Sequence, residues 1–336
     1  MRSTYIPAGY RSLLTVQETE KAIKYVKDTF EHIFAESMGL LRISAPLFVS
    51  SDSGLNDNLN GVERPVTFGI REIEGKDMEI VHSLAKWKRQ ALRDYGFAMH
   101  EGLYTDMNAI RRDEDIDNIH SIYVDQWDWE KVISRSDRNR DYLENTVRVI
   151  VRALAATEMA ACAMFPVLTP VINPNVTFVT SQELEDLYPD YTPKQREDAA
   201  ARKFGTIFIE QIGKKLKSGA PHDGRAPDYD DWNLNGDIIV WNDVLGRAFE
   251  ISSMGIRVDE EAMEKQLIES GHTERRNLHF HRDLLAGKMP LTIGGGLGQS
   301  RICMLILQKC HIGEVQVSKW DEDTMEICRK NGVFLL

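Results

Sequence analysis

Thr292-Ile293-Gly294-Gly295-Gly296-Leu297-Gly298-Gln299-Ser300-Arg301, followed by the apolar run Ile302 to Leu307, is the stretch around which the chain is organised. Four glycines within five residues let backbone approach a ligand closely. The apolar run has helical length, so the stretch reads as a loop entering a helix, with N–H groups converging on a spot suited to phosphate. Arg301 falls in the first turn, where a cation opposes the helix dipole unless an anion lies nearby. The spacing is not G-x-G-x-x-G, and too few residues follow for a βαβαβ unit, so a dinucleotide fingerprint fits badly. A glycine loop that only turns the chain stays open at this point.

Composition narrows the field. With 336 residues, 42% of them hydrophobic, the chain can bury a full core. A net charge of −11 disfavours nucleic acid as a partner. Met1 to Tyr10 carries no apolar signal core and no stretch reaches the length of a membrane span, so a cytoplasmic protein without membrane contact is expected. Cys162, Cys303, Cys310 and Cys328 form no C-x-x-C pair, and neither disulfide nor zinc site is expected.

Working backward along the chain, Thr206 to Ile212, Asp237 to Trp241 and Ala248 to Ser252 read as successive strands. Helices lie before and after them, not between each pair, which predicts an α+β fold with an antiparallel sheet. On an extended strand Glu250 and Ser252 face one way and Phe249 and Ile251 the other; a carboxylate beside a phosphate site is where Mg²⁺ would be held. Val16 to Met38 reads as an amphipathic helix, and Leu40 to Val49 as a strand containing Pro46, which suits an edge or a pairing surface. Ser50 to Gly61, with Asp57, reads as a polar loop. Gly102 to Ile110 and Ser121 to Trp129 form a hairpin across the charged segment Arg111 to Asp115, and Gln126 shares a face with Asp128. That face is either a half-exposed sheet surface or part of a site. Asp141 to Phe165 is a buried helix, Thr180-Ser181-Gln182-Glu183 a capping box, and Pro193 to Gly205 another helix. Arg225 to Trp232 reads as an acidic loop.

His82 to Gln90 (HSLAKWKRQ), Glu101 to Thr105 (EGLYT), Tyr123 to Trp129 (YVDQWDW), Arg225 to Trp232, Phe249 to Arg257 and the glycine stretch together resemble the ammonia-dependent asparagine synthetases, relatives of the class II aminoacyl-tRNA synthetases. The resemblance covers essentially the whole chain as one catalytic domain, residues 1–336. It implies an antiparallel sheet flanked by helices, and a homodimer formed through residues 1–49. It implies that ATP with Mg²⁺ adenylates the β-carboxylate of aspartate and that ammonia then displaces AMP. Carried over to this sequence, Arg111 grips the activated carboxylate and α-phosphate. Arg301, with Gly296 and Gly298, meets the nucleotide, while Asp237 and Glu250 hold metal. Lys88 and Arg257 hold the substrate α-carboxylate, and Asp128 and Asp230 its ammonium group. Ser83, Arg225, Gln126 and Ser253 complete the pocket, and Asp57 positions or deprotonates ammonia. Some family members carry an inserted loop where this chain runs directly from Trp232 to Leu234. A fragment of an aspartyl- or asparaginyl-tRNA synthetase and an inactive, ligand-binding paralogue remain as alternatives. The acidic charge and the lack of a separate β-rich anticodon-binding segment weigh against the first, and the intact Arg111, Glu250 and Arg301 against the second.

Overall fold

The computed structural model describes residues 4–56 and 63–336. Thr15 opens helix α1 (Val16–Met38) with a reciprocal cap: its hydroxyl accepts from the Glu18 amide, and the Glu18 carboxylate accepts from the Thr15 N–H. Gly39, at φ 66°, closes it in the left-handed conformation. The chain continues through β1 (Leu40–Arg42), β2 (Phe48–Ser50), β3 (Thr67–Ile70), β4 (Ile73–Ile80), α2 (Ala85–Asp94), β5 (Gly102–Ile110), β6 (Tyr123–Val132) and α3 (Arg140–Met164). Then come β7 (Val176–Thr180), α4 (Ser181–Leu187), α5 (Pro193–Phe204), β8 (Thr206–Glu210), β9 (Asp230–Asn242), β10 (Arg247–Arg257), α6 (Glu260–Ser270), α7 (His279–Leu285), β11 (Thr292–Gly298), α8 (Gln299–Ile306) and α9 (Glu322–Lys330).

Eight strands make one sheet in the order β1-β5-β6-β11-β10-β9-β8-β7. Its two outermost pairings, β1 with β5 and β7 with β8, are parallel and the inner ones antiparallel. β2, β4 and β3 form a small second sheet. The segment around Pro46 is therefore not one strand. It divides between two sheets, β1 pairing with β5 and β2 with β4, and Pro46, which has no N–H to donate, lies in the crossing. β4 begins at Ile73 and forms a hairpin with β3.

Alternation along the strands sorts the two faces of the large sheet. One face packs on α1, α3 and α8: Phe30 and Phe34 meet Trp127 and Trp129 at ring separations of 4.8 and 6.1 Å, and Ile238, Val240, Phe249, Met254 and Ile293 join the same core. On the other face α2 covers β5 through Leu84, Leu92, Leu103 and Met107, and α4 with α5 covers β8 and β9 through Ala200, Ala201, Ile207 and Ile239. Between these two covers the central strands stay open, and the cavity lies there.

Candidate active site

The cavity, about 360 Å³, is floored by β6, β11, β10 and β9. The glycine stretch is part of that floor and not a phosphate-binding loop. Gly294, Gly296 and Gly298 pair with Glu130, Asp128 and Gln126 on β6, and Gly294 to Gly296 pair with Gly255, Met254 and Ser253 on β10. Paired residues share a face, so the even-numbered glycines lie beneath the polar side chains of their neighbours. A Cβ at Gly294 would stand 1.9 Å from Glu130 Oε2, and one at Gly296 2.5 Å from Gln126 Oε1. The glycines are required by space across the sheet, since no turn is made here. The helix expected after them is α8, and Arg301 does sit in its first turn, donating to the Glu250 carbonyl oxygen at 3.1 Å.

β10 departs from plain alternation. Its register with β9 shifts between Glu250 and Ser252: Glu250 pairs with Ile239, Ser252 with Ile238 and Ser253 with Asp237. Ser252 thereby joins the core side, where Ile238 sits, and its hydroxyl is buried without a partner. The expectation that Glu250 and Ser252 share a face is overturned, because one inserted residue makes Glu250 and Ser253 the pair that faces the cavity.

At one end of the cavity the charges are buried and tightly paired. Lys88, from α2, donates to Asp128 at 2.7 Å and to the Gly295 carbonyl oxygen at 2.9 Å. Arg257 donates through Nε and one terminal nitrogen to Glu130, at 2.8–3.1 Å, and through the other to Asp230. Burial presses the Lys88 ammonium toward its neutral form, partly opposed by Asp128 and Glu130. Burial also disfavours both charges of the Glu130–Arg257 pair, yet mutual attraction holds Glu130 low and Arg257 high. These bonds use two of the three Lys88 N–H groups and three of the five on Arg257. Asp128 Oδ2, Asp230 Oδ2, Arg225 Nε and Arg111 Nε are buried without a hydrogen bond, although Arg225 Nε and Asp230 Oδ2 face each other as an ion pair at 3.7 Å. Arg225 otherwise donates to Ser253 and, at 2.7 Å, to Asp237.

Arg111 follows the last residue of β5 and, among the described residues, its terminal nitrogen donates to the His82 carbonyl oxygen at 3.3 Å. Ser83 accepts from the Ala85 amide at 3.1 Å and lines the cavity at the start of α2. Asp237 and Glu250 lie on the same wall. Burial and the Glu250 charge push the Asp237 carboxyl up to about 6 against the pull of Arg225, whereas at Glu250 the Arg301 and Lys194 charges outweigh burial and lower it. Asp57 lies outside the described residues. Except for Asp57, every residue singled out from the sequence lines this one cavity.

Sequence reading missed several others. Glu130, the acceptor that fixes Arg257, is the next polar position after Asp128 in the β6 alternation and was legible there. Asp125 and Gln316 also line the cavity, the latter from a segment after α8 with no local signal. A second buried knot stands behind the site, where Asp228 accepts from His281 at 2.9 Å and lies 3.2 Å from Lys86 and 3.1 Å from Arg275.

The family model for aspartate-ammonia ligase matches residues 17–332. Aspartate–ammonia ligases of Clostridium perfringens and Lactobacillus acidophilus are each 56% identical, the first over 100% of both chains and the second over 98% of this chain and 99% of its own. That of Clostridium tetani is 57% identical over 98% of this chain and 97% of its own. Among solved structures, the asparaginyl-tRNA synthetase of Entamoeba histolytica superposes with TM-score 0.62 at 14% identity, covering 90% of this chain and 67% of that one. The enzyme of Pyrococcus horikoshii complexed with asparaginyl-adenylate does so with TM-score 0.62 at 16% identity, covering 89% and 68%. At such identities the likeness is one of fold, and the fold is the α+β class II synthetase architecture. The full-length match in sequence goes further: the chain belongs to the aspartate-ammonia ligase family, enzymes that make asparagine from aspartate and ammonia.

Proposed function

We infer that the reaction runs in two steps through a β-aspartyl-adenylate, with ATP as co-substrate and AMP and pyrophosphate as products. The observation that carries this reading is the set of buried polar atoms in one cavity that make no hydrogen bond: acceptors on Asp128 and Asp230, donors on Arg111 and Arg225, the last lying 3.7 Å from Asp230, beyond hydrogen-bond length. Buried polar groups without partners are costly, and a zwitterionic amino acid beside a phosphate would supply partners to both kinds. The P. horikoshii synthetase, which shares the fold, is complexed with an acyl-adenylate.

In this reading Asp128 and Asp230 accept from the α-ammonium group of aspartate. The N–H groups left over on Lys88 and Arg257, with Ser83, Ser253 and Arg225, receive its α-carboxylate. The side chain then points toward Arg111 and Gln126. A β-carboxylate oxygen attacks the α-phosphorus, the bond to pyrophosphate breaks, and Arg111 neutralises charge on the α-phosphoryl oxygens. Gly296 and Gly298 leave room for the nucleotide beside Arg301. In the second step the nitrogen of ammonia forms a bond to the β-carbonyl carbon and AMP departs. The nucleophile must be neutral, and Asp57 is the carboxylate proposed to take the proton from ammonium. Asp237 and Glu250 offer an all-oxygen donor pair of the kind Mg²⁺ takes, and a carboxyl pushed up to about 6 by burial and a neighbouring carboxylate would be relieved by a cation. Mg²⁺ bound there would neutralise phosphate charge. The enzyme is proposed to act in the cytoplasm as a homodimer without nucleic acid. The edge strand β1 and the segment after it expose Leu41, Leu47 and Phe48, an apolar strip for a second copy to cover.

The test is a reaction of purified protein with ATP, Mg²⁺ and aspartate, supplied in parallel with ammonium, glutamine or tRNA. Asparagine and AMP formed in step, with ammonium and without tRNA, support the reading. ADP in place of AMP would refute the adenylate, aspartate on tRNA would favour a synthetase fragment, and ligand binding without turnover would favour an inactive paralogue.

A further inference from the structure

The nucleotide end of the cavity differs from the charged end. Ile119 and Ile312 are buried there, and Arg301 presents a planar guanidinium, surfaces suited to the faces of a flat base. Gln316, 5% exposed, lines the same cavity. Its Nε2 donates to Asp125 Oδ1 at 3.2 Å and to Ser300 Oγ at 3.0 Å. A carboxylate can only accept, so the amide cannot be turned over without setting two oxygens against each other. Asp125 is itself fixed by the Ser300 amide and hydroxyl, at 3.0 and 2.8 Å, and by Lys27 at 3.0 Å. The orientation of the Gln316 amide is thus imposed from behind, and its Oε1 is left buried with no donor.

We propose that Gln316 selects the base: its Oε1 accepts a hydrogen bond from the exocyclic amino group of adenine. This rests on the ATP reading given above. A purine carrying an oxygen at that carbon would set acceptor against acceptor, in a site whose amide cannot flip to offer its donor. A site built to meet a donor rejects the analogue lacking it strongly, because the buried group stays unpaired.

The experiment compares ATP with inosine triphosphate, which differs at that substituent. Asparagine formation is followed in wild type, Gln316→Met, which keeps volume and loses the acceptor, and Gln316→Ala, which covers the case where the Met side chain does not pack. Wild type should favour ATP by about 10²-fold or more in kcat/KM. Both variants should lower that ratio at least tenfold, through a raised KM for ATP, with the KM for aspartate unchanged. A wild type that uses the two nucleotides equally overturns the proposal without any variant. Variants that lose activity with both nucleotides alike and keep the ratio also overturn it, since Gln316 would then only brace Asp125 and Ser300. Failure of wild type to use ATP at all would refute the functional reading itself, a separate outcome.

Discussion

Gly294→Ala and Gly296→Ala place the same methyl group two residues apart on one strand and should fail differently. At Gly294 the methyl carbon would lie 1.9 Å from Glu130 Oε2 and 2.7 Å from an Arg257 terminal nitrogen. Ordinary contact begins at 3.4 Å, so the carboxylate must withdraw by about 1.5 Å. It has nowhere to go: Glu130 is wholly buried and bonded to Arg257 and, at 2.7 Å, to Thr292. Breaking a buried ion pair costs about 3–5 kcal/mol. Spread over an unfolding entropy of about 0.7 kcal/mol/K for a chain of this length, that lowers Tm by about 4–7 °C. At Gly296 the nearest atom, 2.5 Å away, is the end of the Gln126 side chain, which borders open cavity and can swing aside. The stability cost there should be about 1 kcal/mol, or less than 2 °C in Tm. The methyl and the displaced amide instead intrude on bound substrate, and kcat/KM should fall about 10²-fold, as for a misplacement of about an ångström. Scanning calorimetry and steady-state kinetics on both variants separate the cases. Equal Tm values for wild type and Gly294→Ala, or equal losses of stability in the two variants, would refute the assignment of these glycines to cross-strand space.

The other expectations are more direct. Phe34→Ala, which removes a fully buried ring packed edge-on to Trp129, should cost about 3–5 kcal/mol and leave the KM values nearly unchanged, read by denaturant unfolding and kinetics. Arg111→Ala should lower kcat/KM by about 10²-fold or more; a variant that still adenylates aspartate at nearly the wild-type rate would remove Arg111 from its role. Asp57→Asn should raise the KM for ammonium well above any change in that for ATP, and equal changes would end the proposal for Asp57. His311 is buried, its Nδ1 accepting from the Gly313 amide at 3.0 Å, and burial holds its ring down to about 4. The unfolded chain takes up that proton at about 6.5, so the stability due to neutral His311 is complete above that pH. It is lost progressively as pH falls toward 4, amounting to about 3 kcal/mol. His311→Asn keeps an acceptor for Gly313 and should flatten the fall in Tm between pH 7 and pH 5; an unchanged slope would refute the attribution.

Where local chemistry alone dictates structure, the sequence was legible. Thr180 with Glu183 caps α4, and Thr192 with Pro193 opens α5 that Gly205 ends, as their patterns require. The β6 alternation put Gln126 and Asp128 on one face, which lines the cavity, while Trp127 and Trp129 on the opposite face pack against Phe30 and Phe34. Features that depend on a neighbouring strand were hidden. The glycines of β11 carry no side chains from which a period of two can be read, and local rules then favour a loop. Their reason is the bulk of Glu130, Gln126 and Met254 across the sheet, more than forty residues away in sequence. The bulge in β10 leaves no mark in Glu250-Ile251-Ser252-Ser253, because it exists only relative to β9.

These hidden features have a common mechanical basis. A strand in the middle of a sheet must serve two faces, and here one face must be packed densely while the other stays empty enough to admit substrates. Glycine at alternate positions of β11 meets the second demand, leaving side chains of β6, β9, β10 and the segments around them to supply the chemistry over it. Those side chains are charged and buried, so each must be held by another: Lys88 by Asp128, Arg257 by Glu130 and Asp230, Arg225 by Asp237. Pairing removes most of the cost of burial but leaves single atoms without a hydrogen bond, on Asp128, Asp230, Arg111 and Arg225. A fully satisfied network would make a better core and a worse site, since recognition requires that some donors and acceptors be completed only by the ligand.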